Sequence, residues 1–351
     1  MPRLTKGFLA AVMTLLLAFA AAGCMPRQPR EITNCFYYWR SAFHLDTADL
    51  KTLNSLHVKR LYVKFFDIIW SKTDTRPVPV ASVSFASKPP ATLEIVPTVF
   101  ITNTALRLST PDSIADLAAK IQNKLDYMWG ENGLPKPREI QLDCDWTAET
   151  RDRFFSLLRN LREGLAPGTV LSATLRLHQV KYAKLTGIPP VDRGMLMFYN
   201  FQAPDQINAN NAILDLKVGE SYTGGLASYP LPLDVALPIF TWGALFDGDH
   251  FLSLLDGLRR EEIEKSRLFR RESESNRYLA LKDGYLRSVR IHEGDLLRLD
   301  MVDYPAVRAA VEHLRNKLKP GRLNVAVFHY GARLVEEFGH GAVAKIFAGF
   351  R

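Results

Sequence analysis

Two aspartates two residues apart, Asp143 and Asp145, stand in the run Glu139-Ile140-Gln141-Leu142-Asp143-Cys144-Asp145-Trp146-Thr147. In an extended strand alternate side chains share a face. Gln141, Asp143 and Asp145 therefore point one way, and Leu142, Cys144 and Trp146 the other. Two carboxylates this close repel, so one pKa should rise unless a cation lies between them. The next apolar run supplies such a cation: Ser172, Thr174, Arg176 and His178 share one face, and Arg176 can pair with either aspartate. Met195, Met197 and Tyr199 alternate just before Asn200, while Asp67, Trp242, His329 and Tyr330 stand at the ends of other apolar runs. Carboxylates, amides and aromatic rings gathered at one mouth suit a polyhydroxylated ring, because aromatic faces stack on its C–H groups and polar groups bond its hydroxyls. Asp143 and Asp145 are thus the candidate catalytic pair. Asp67, Arg176, Tyr199, Asn200, Trp242 and Tyr330 are the candidate binding residues. The competing reading makes the aspartates and Arg176 a buried ion network, and the aromatic residues core.

Eight segments can position these groups: Thr33–Trp39, Arg60–Phe66, Glu94–Thr102, Glu139–Asp145, Val170–Leu177, Met195–Phe201, Val235–Trp242 and Leu323–Tyr330. Most are dense in Val, Ile, Leu, Phe and Tyr, as strands buried on both faces should be. Helical stripes separate several of them. Asp46 can cap a helix carrying Leu50, Leu53 and Leu56; Thr110-Pro111 opens one with Ile114, Leu117, Ile121, Leu125 and Met128; and Thr147 or Thr150 starts one with Phe154, Leu157, Leu158 and Leu161. Asn208–Leu216 is a weaker helical stretch. Repeated strand–helix units need right-handed crossovers, and eight of them close into an α/β (β/α)8 TIM barrel. Chemistry in such a barrel sits where the strands end, so the aspartate face should point to the axis.

Two segments break the repeat. Val78–Phe85 reads as an extra hairpin or edge strand. About 80 residues separate the last two strands, too many for a plain loop. Within them Phe251–Lys265 and Asp303–Leu318 look helical, and Tyr278–Leu299 looks like a hairpin turning near Lys282-Asp283-Gly284, with room for a third strand. The expectation is a small α+β insertion at about residues 246–320 of a barrel spanning 33–351.

Composition removes several classes. The 351 residues are 47% hydrophobic and 23% charged with a net charge of +8, which excludes a disordered chain and a multi-pass membrane protein. The charges are mixed along the chain, so no nucleic-acid footprint is read. No His pair has metal-ligand spacing, so neither metal nor cofactor is expected. His178 and His329 read as core histidines. Asp247-Gly248-Asp249 reads as a turn. Cys35 and Cys144 sit in apolar strand patterns and read as buried free thiols. The chain is expected to be a monomer.

Residues 1–23 read as an export signal: Arg3 and Lys6, then an apolar run from Phe8 to Ala22. Ala21-Ala22-Gly23-Cys24 resembles a bacterial lipoprotein box, with Ala21 where Leu is usual. The resemblance implies cleavage before Cys24, acylation of Cys24 and membrane anchoring, with residues 24–32 as a tether. Met25 is not Asp, which under the enteric sorting rule implies the periplasmic face of the outer membrane.

A second resemblance rests on the strands. Gln141-Leu142-Asp143-Cys144-Asp145-Trp146-Thr147, Leu171-Ser172-Ala173-Thr174-Leu175 and Met195-Leu196-Met197-Phe198-Tyr199-Asn200 together resemble an uncharacterised family of bacterial lipoproteins with glycoside-hydrolase-like barrels. More distantly they are similar to the family 18 chitinase-like barrels, whose fourth strand carries Asp-x-Asp-x-Glu and whose sixth carries Met-x-Tyr-Asp. The resemblance implies a carbohydrate or cell-envelope glycan as partner. Asp143, Asp145, Met197 and Tyr199 match the pattern. Thr147 occupies the position of the catalytic Glu, and Asn200 that of the sixth-strand Asp. Thr147 cannot protonate a leaving group, and hydrolysis needs an acid that can. Glu149 and Asp67 are the carboxylates left to replace it. An anchored hydrolase and a non-catalytic glycan-binding lipoprotein are therefore the two expectations.

Overall fold

The computed structural model describes residues 30–273 and 275–351; the expected signal and the lipidation site at Cys24 lie outside the described residues. Eight parallel strands form a closed ring: β1 (Glu31–Tyr38), β2 (Val58–Ser71), β3 (Glu94–Ile101), β4 (Glu139–Asp143), β5 (Val170–Arg176), β6 (Arg193–Met197), β7 (Leu233–Pro238) and β8 (Arg322–Phe328). Each pairs with its sequence neighbours, and β1 pairs with both β8 and β2, which closes the ring. This is the expected (β/α)8 barrel.

Apolar side chains on the outward strand faces pack against helices α1 (Thr47–Ser55), α2 (Pro111–Glu131), α3 (Arg151–Gly164), α4 (Tyr304–Arg315) and α5 (His340–Ala348). Their starts follow from the sequence. Asp46 accepts from the Asp49 N–H, Thr110 accepts from the Ser113 N–H ahead of a proline, and Asp303 accepts from the Ala306 N–H. The stripe Ile114, Leu117, Ile121, Leu125 and Met128 of α2 is buried against the barrel. The crossover before β6 has only the short helices Leu177–Lys181 and Ala183–Thr186, and the one before β7 only Leu216–Glu220 and a single 3-10 turn. The helix expected over Asn208–Leu216 is absent: the Asn211 side chain accepts from the Ile213 and Leu214 N–H groups, a local turn that competes with helix.

Arg76–Val80 adds to the outside of β2 as an antiparallel edge strand, and Ser84–Phe85 pairs with Ala42–Phe43. Between β7 and α4 the chain builds a separate five-stranded antiparallel sheet. Its order is His250–Asp256, Trp242–Asp247, Leu296–Asp300, Arg277–Ala280 and Phe269–Arg271. Leu245, Leu258, Ile263, Tyr278, Leu297 and Leu299 form its own apolar core. Phe251–Lys265 is a strand followed by a short helix, Arg260–Ser266, where one helix was expected; Ser253 to Asp256 pair with Trp242 to Leu245 instead. The chain near Lys282-Asp283-Gly284 leads into a second small hairpin, Gly284–Leu286 with Val289–Ile291.

The barrel interior is polar and internally paired. At the amino ends of the strands, Arg60 bridges Glu94 (3.0 Å) and Glu139 (2.7 Å), and Arg193 pairs with Asp234 (2.6 Å). One level up, Tyr37 donates to Gln141 (2.7 Å) and Ser172 donates to Glu139 (2.6 Å). Burial pushes the Glu139 and Asp234 carboxyls up, and their arginine partners oppose it. Cys35 and Cys144 are buried and unbridged, as expected.

Candidate functional site at the carboxyl ends of the strands

Asp143 is the last residue of β4 and is 6% exposed. The Thr174 hydroxyl donates to it at 2.6 Å. Burial pushes its carboxyl up to about 6; Arg176 and the Thr174 hydrogen bond pull the other way, and Asp145 and Asp67 add to the rise.

Asp145 lies beyond the strand, which stops pairing at Asp143. It was expected on the inward strand face beside Asp143. The chain instead turns toward α3, with the Thr147 N–H donating to the Thr150 hydroxyl at 3.0 Å. The Asp145 carboxylate is half-exposed and takes the fork of Arg176, Nε at 2.5 Å and Nη2 at 3.3 Å. The two aspartates thus share one arginine but differ in surroundings: one is sealed and one is at the surface.

Asp67 also faces the interior, by a route the sequence hides. The β2–β3 register shifts between Lys64 and Phe66, a bulge with Phe65 as the extra residue. Phe65 and Phe66 both turn outward, onto Trp129 and beneath Lys124, and Asp67 returns to the side of Lys64. Lys64 Nζ meets one Asp67 oxygen at 3.0 Å, while the other is buried with no partner among the described residues.

Aromatic rings floor the mouth, with Trp39 and Phe328 half-buried and Tyr199, Phe240 and Trp242 buried beneath or beside them. Phe328 sits at the centre, with Tyr199 at 5.2 Å, Phe240 at 5.6 Å and Trp39 at 5.8 Å between ring centroids. Trp242 continues the row from Phe240 at 5.5 Å. Two cations sit over its ends, Lys64 5.8 Å from the Trp39 centroid and Arg176 6.0 Å from that of Tyr199. Burial pushes the Tyr199 hydroxyl up, so it stays neutral. A 420 Å³ cleft opens beside this floor, lined by Asp145, Arg176, His178, Tyr199, Asn200 and Trp242 among others.

Trp242, expected at the end of the seventh strand, opens the first strand of the inserted sheet because β7 ends at Pro238. Its indole N–H donates to Asp300 at 2.8 Å. Asn200 is exposed in the left-handed region, φ 54°, which Asn tolerates better than most residues. Tyr330 does not reach the cleft. It is buried in the wall between β1 and α1, its ring 5.2 Å from Phe36 and its hydroxyl 3.0 Å from the Asp49 carboxylate. His178, expected in the core, is exposed and lines the cleft because β5 ends at Arg176 and a short helix begins. Thr147 and Glu149 are exposed in the turn before α3, outside the lining of the cleft. No cluster of metal-ligating side chains occurs among the described residues.

Lys64, Phe240 and Phe328 join the site without standing out in the sequence, although period-2 counting from Asn324 on β8 leads to Phe328. Arg298 of the inserted sheet is equally silent in the sequence. This side chain is wholly buried, pairs with Asp300 at 2.9 Å and donates to the Pro204 carbonyl at 3.1 Å and to the Gln206 carbonyl. Arg277 donates to the Ile207 carbonyl at 2.6 Å. The insertion thereby holds the β6–β7 loop that forms one wall of the cleft.

No family model matches the chain, and no curated protein matches it significantly. Solved structures do. The spore cortex-lytic enzyme SleL of Bacillus megaterium QM B1551 is 12% identical, with a TM-score of 0.53 over 93% of this chain and 75% of that one. The GH18 chitinase ChiB from the chitin utilization locus of Flavobacterium johnsoniae is 11% identical, TM-score 0.51, over 92% and 94%. The chitinase-like agglutinin of Robinia pseudoacacia is 15% identical, TM-score 0.51, over 90% and 99%. The likeness is one of fold. Hydrolases and an agglutinin share it.

Proposed function

We propose that this barrel binds glycan chains at its carboxyl-terminal mouth without cleaving them. The observation that carries this reading is the unbroken aromatic floor beside the Asp145–Arg176 fork. The half-buried rings of Trp39 and Phe328 can stack on sugar C–H faces and the fork bonds hydroxyls, but both Asp145 oxygens already accept from Arg176, which leaves neither free to serve a glycosidic oxygen. Thr147 standing where the chitinase-like pattern has its acid supports the same conclusion. The test is pull-down on insoluble chitin and on peptidoglycan, with a parallel assay for new reducing ends. Retention without new ends is expected, with weaker retention for Trp39→Ala. Absence of retention on every glycan tried overturns the reading.

One observation favours hydrolysis as a second reading: burial holds the Asp143 carboxyl at about 6, within the range of a general acid. New reducing ends produced by the wild type and lost in both Asp143→Asn and Asp145→Asn would establish it and displace the first.

Our reading includes location. The Ala21-Ala22-Gly23-Cys24 box makes Cys24 the acylated residue of an envelope lipoprotein on the periplasmic face of the outer membrane, acting as a monomer. Metabolic labelling with a fatty-acid analogue should mark the wild type and not Cys24→Ser, and fractionation of the two membranes reports the location.

A further inference from the structure

The amino-terminal end of the barrel, opposite the glycan mouth, carries a second cleft of 820 Å³ whose charge balance is unlike the rest of the interior. Lys59, Lys88, Lys136 and Arg138 line it and are exposed, and none has an ion pair or side-chain hydrogen bond among the described residues. The acid that lines it, Glu94, gives one oxygen to Arg60 at 3.0 Å and keeps the other buried without a partner among the described residues, so a single carboxylate faces the four cations. Elsewhere the arginines of the strands are matched: Arg60, Arg176 and Arg193 each meet a carboxylate. Four unmatched cations at one cleft form a surface for anions.

The chain enters the fold at this same end. Arg30 donates to the carbonyls of Arg315 (2.9 Å) and Lys319 (3.3 Å), which fixes the start of β1 beside the segment that follows α4. From Cys24 to Arg30 a fully extended chain reaches at most about 20–22 Å. An acyl group on Cys24 would therefore hold the basic end of the barrel against the bilayer, with too little tether to turn the molecule over.

We propose that this basic end docks on anionic lipid headgroups and that the glycan mouth faces away from the membrane. The orientation rests on the acylation of Cys24; the affinity for anionic headgroups rests on the cleft alone. Charge complementarity selects the occupant, since polybasic surfaces beside a bilayer add to the attraction of a lipid anchor.

The test uses the full acylated chain, produced in a bacterial host and reconstituted in vesicles. These are made of phosphatidylcholine with or without phosphatidylglycerol. A fluorophore is attached at Ala91→Cys, beside the basic cleft, or at Gln202→Cys, at the mouth; Cys35 and Cys144 are buried and do not compete. Headgroup spin labels should quench the Ala91 probe and not the Gln202 probe, more strongly on anionic vesicles. Replacing Lys59, Lys88, Lys136 and Arg138 by Glu should remove the anionic preference by roughly tenfold or more in lipid partitioning, with the anchor retained. Equal quenching on neutral and anionic vesicles, or no effect of the four substitutions, overturns the docking surface. Stronger quenching at Gln202 overturns the orientation. Loss of the Ala91 quenching on anionic vesicles in millimolar inorganic phosphate at constant ionic strength overturns the lipid headgroup as occupant, in favour of a soluble anion. A chain that carbonate strips from neutral vesicles while it still binds anionic ones, quenched at Ala91, refutes the anchor and supports the cleft.

Discussion

Replacing Asp143 by Asn should stabilise the protein, and the gain should depend on pH in a calculable way. The folded carboxyl titrates at about 6 against an ordinary value of 3.8, because burial outweighs the pull of Arg176 and Thr174. A raised carboxyl pKa means the folded state holds its proton more tightly than the unfolded chain does. The associated stability is intact below 3.8 and is lost as the pH rises through 6. Linkage puts the loss at well under 1 kcal/mol at pH 4, about 2 at pH 5 and about 3 by pH 7. Asn carries no such penalty, and its side-chain oxygen still accepts from Thr174. The variant should match the wild type near pH 4 and exceed its Tm by roughly 4 °C at pH 7, scaled to a chain of this length. Thermal melts of both proteins from pH 4 to pH 8 make the comparison. A constant offset across that range would mean that Asp143 is solvated or fully paired, and the electrostatic account of the mouth would fall with it.

Three other substitutions separate the parts of the site. Tyr330→Phe removes a hydroxyl that bonds Asp49 in the barrel wall, so urea titration should show a loss of about 1 kcal/mol with glycan retention unchanged. Trp39→Ala removes an end of the aromatic floor and should weaken glycan binding roughly 3- to 10-fold by isothermal titration, with little change in fold by circular dichroism. Arg298→Met alone strands the buried Asp300 carboxylate and should cost about 3–5 kcal/mol. Arg298→Met with Asp300→Leu should regain part of that stability yet still bind glycan poorly, because the loop carrying Pro204 and Gln206 and the Trp242 indole both lose their anchors. If the double variant binds like the wild type, the insertion does not shape the cleft.

The barrel was legible because its strands are buried on both faces, and such runs read as dense apolar segments whatever their partners. The inward set Gln141 and Asp143 followed from alternation alone, since a carboxylate cannot face a helix layer cheaply. Strand ends were not legible. Alternation continues on paper through Asp145, Trp242 and Tyr330, but pairing stops at Asp143, Pro238 and Phe328. What stops it lies elsewhere in the chain: the turn in which the Thr150 hydroxyl accepts from the Thr147 N–H, and the inserted sheet that takes Trp242 as its first residue. The bulge at Phe65 was hidden for the same reason. A single extra residue reverses every later face of β2, and only the register with β3 reveals it. At β5 the same limit applies to His178. It shares a face with Arg176 only while the strand continues, and a helix that begins at Leu177 turns it to the surface.

The inserted sheet is where fold and site become one problem. A (β/α)8 barrel alone leaves its strand-end loops to hold themselves, and the β6–β7 crossover here has little helix to hold it. The inserted sheet supplies that support from outside. Arg298, Arg277 and Asn276 donate to the carbonyls of Gln206, Ile207 and Asn210, while Asp300 fixes the Trp242 indole. Backbone carbonyls accept these bonds whatever side chains the loop carries, so the loop sequence is free to vary while its path is held. Loop substitutions between Ala203 and Asn210 should accordingly change which glycan is retained more than they change stability, whereas substitutions at Arg298 should change both. A panel of loop variants scored by melting temperature and by glycan array distinguishes the two behaviours, and loop variants that melt early without changing preference would assign the strap to stability alone.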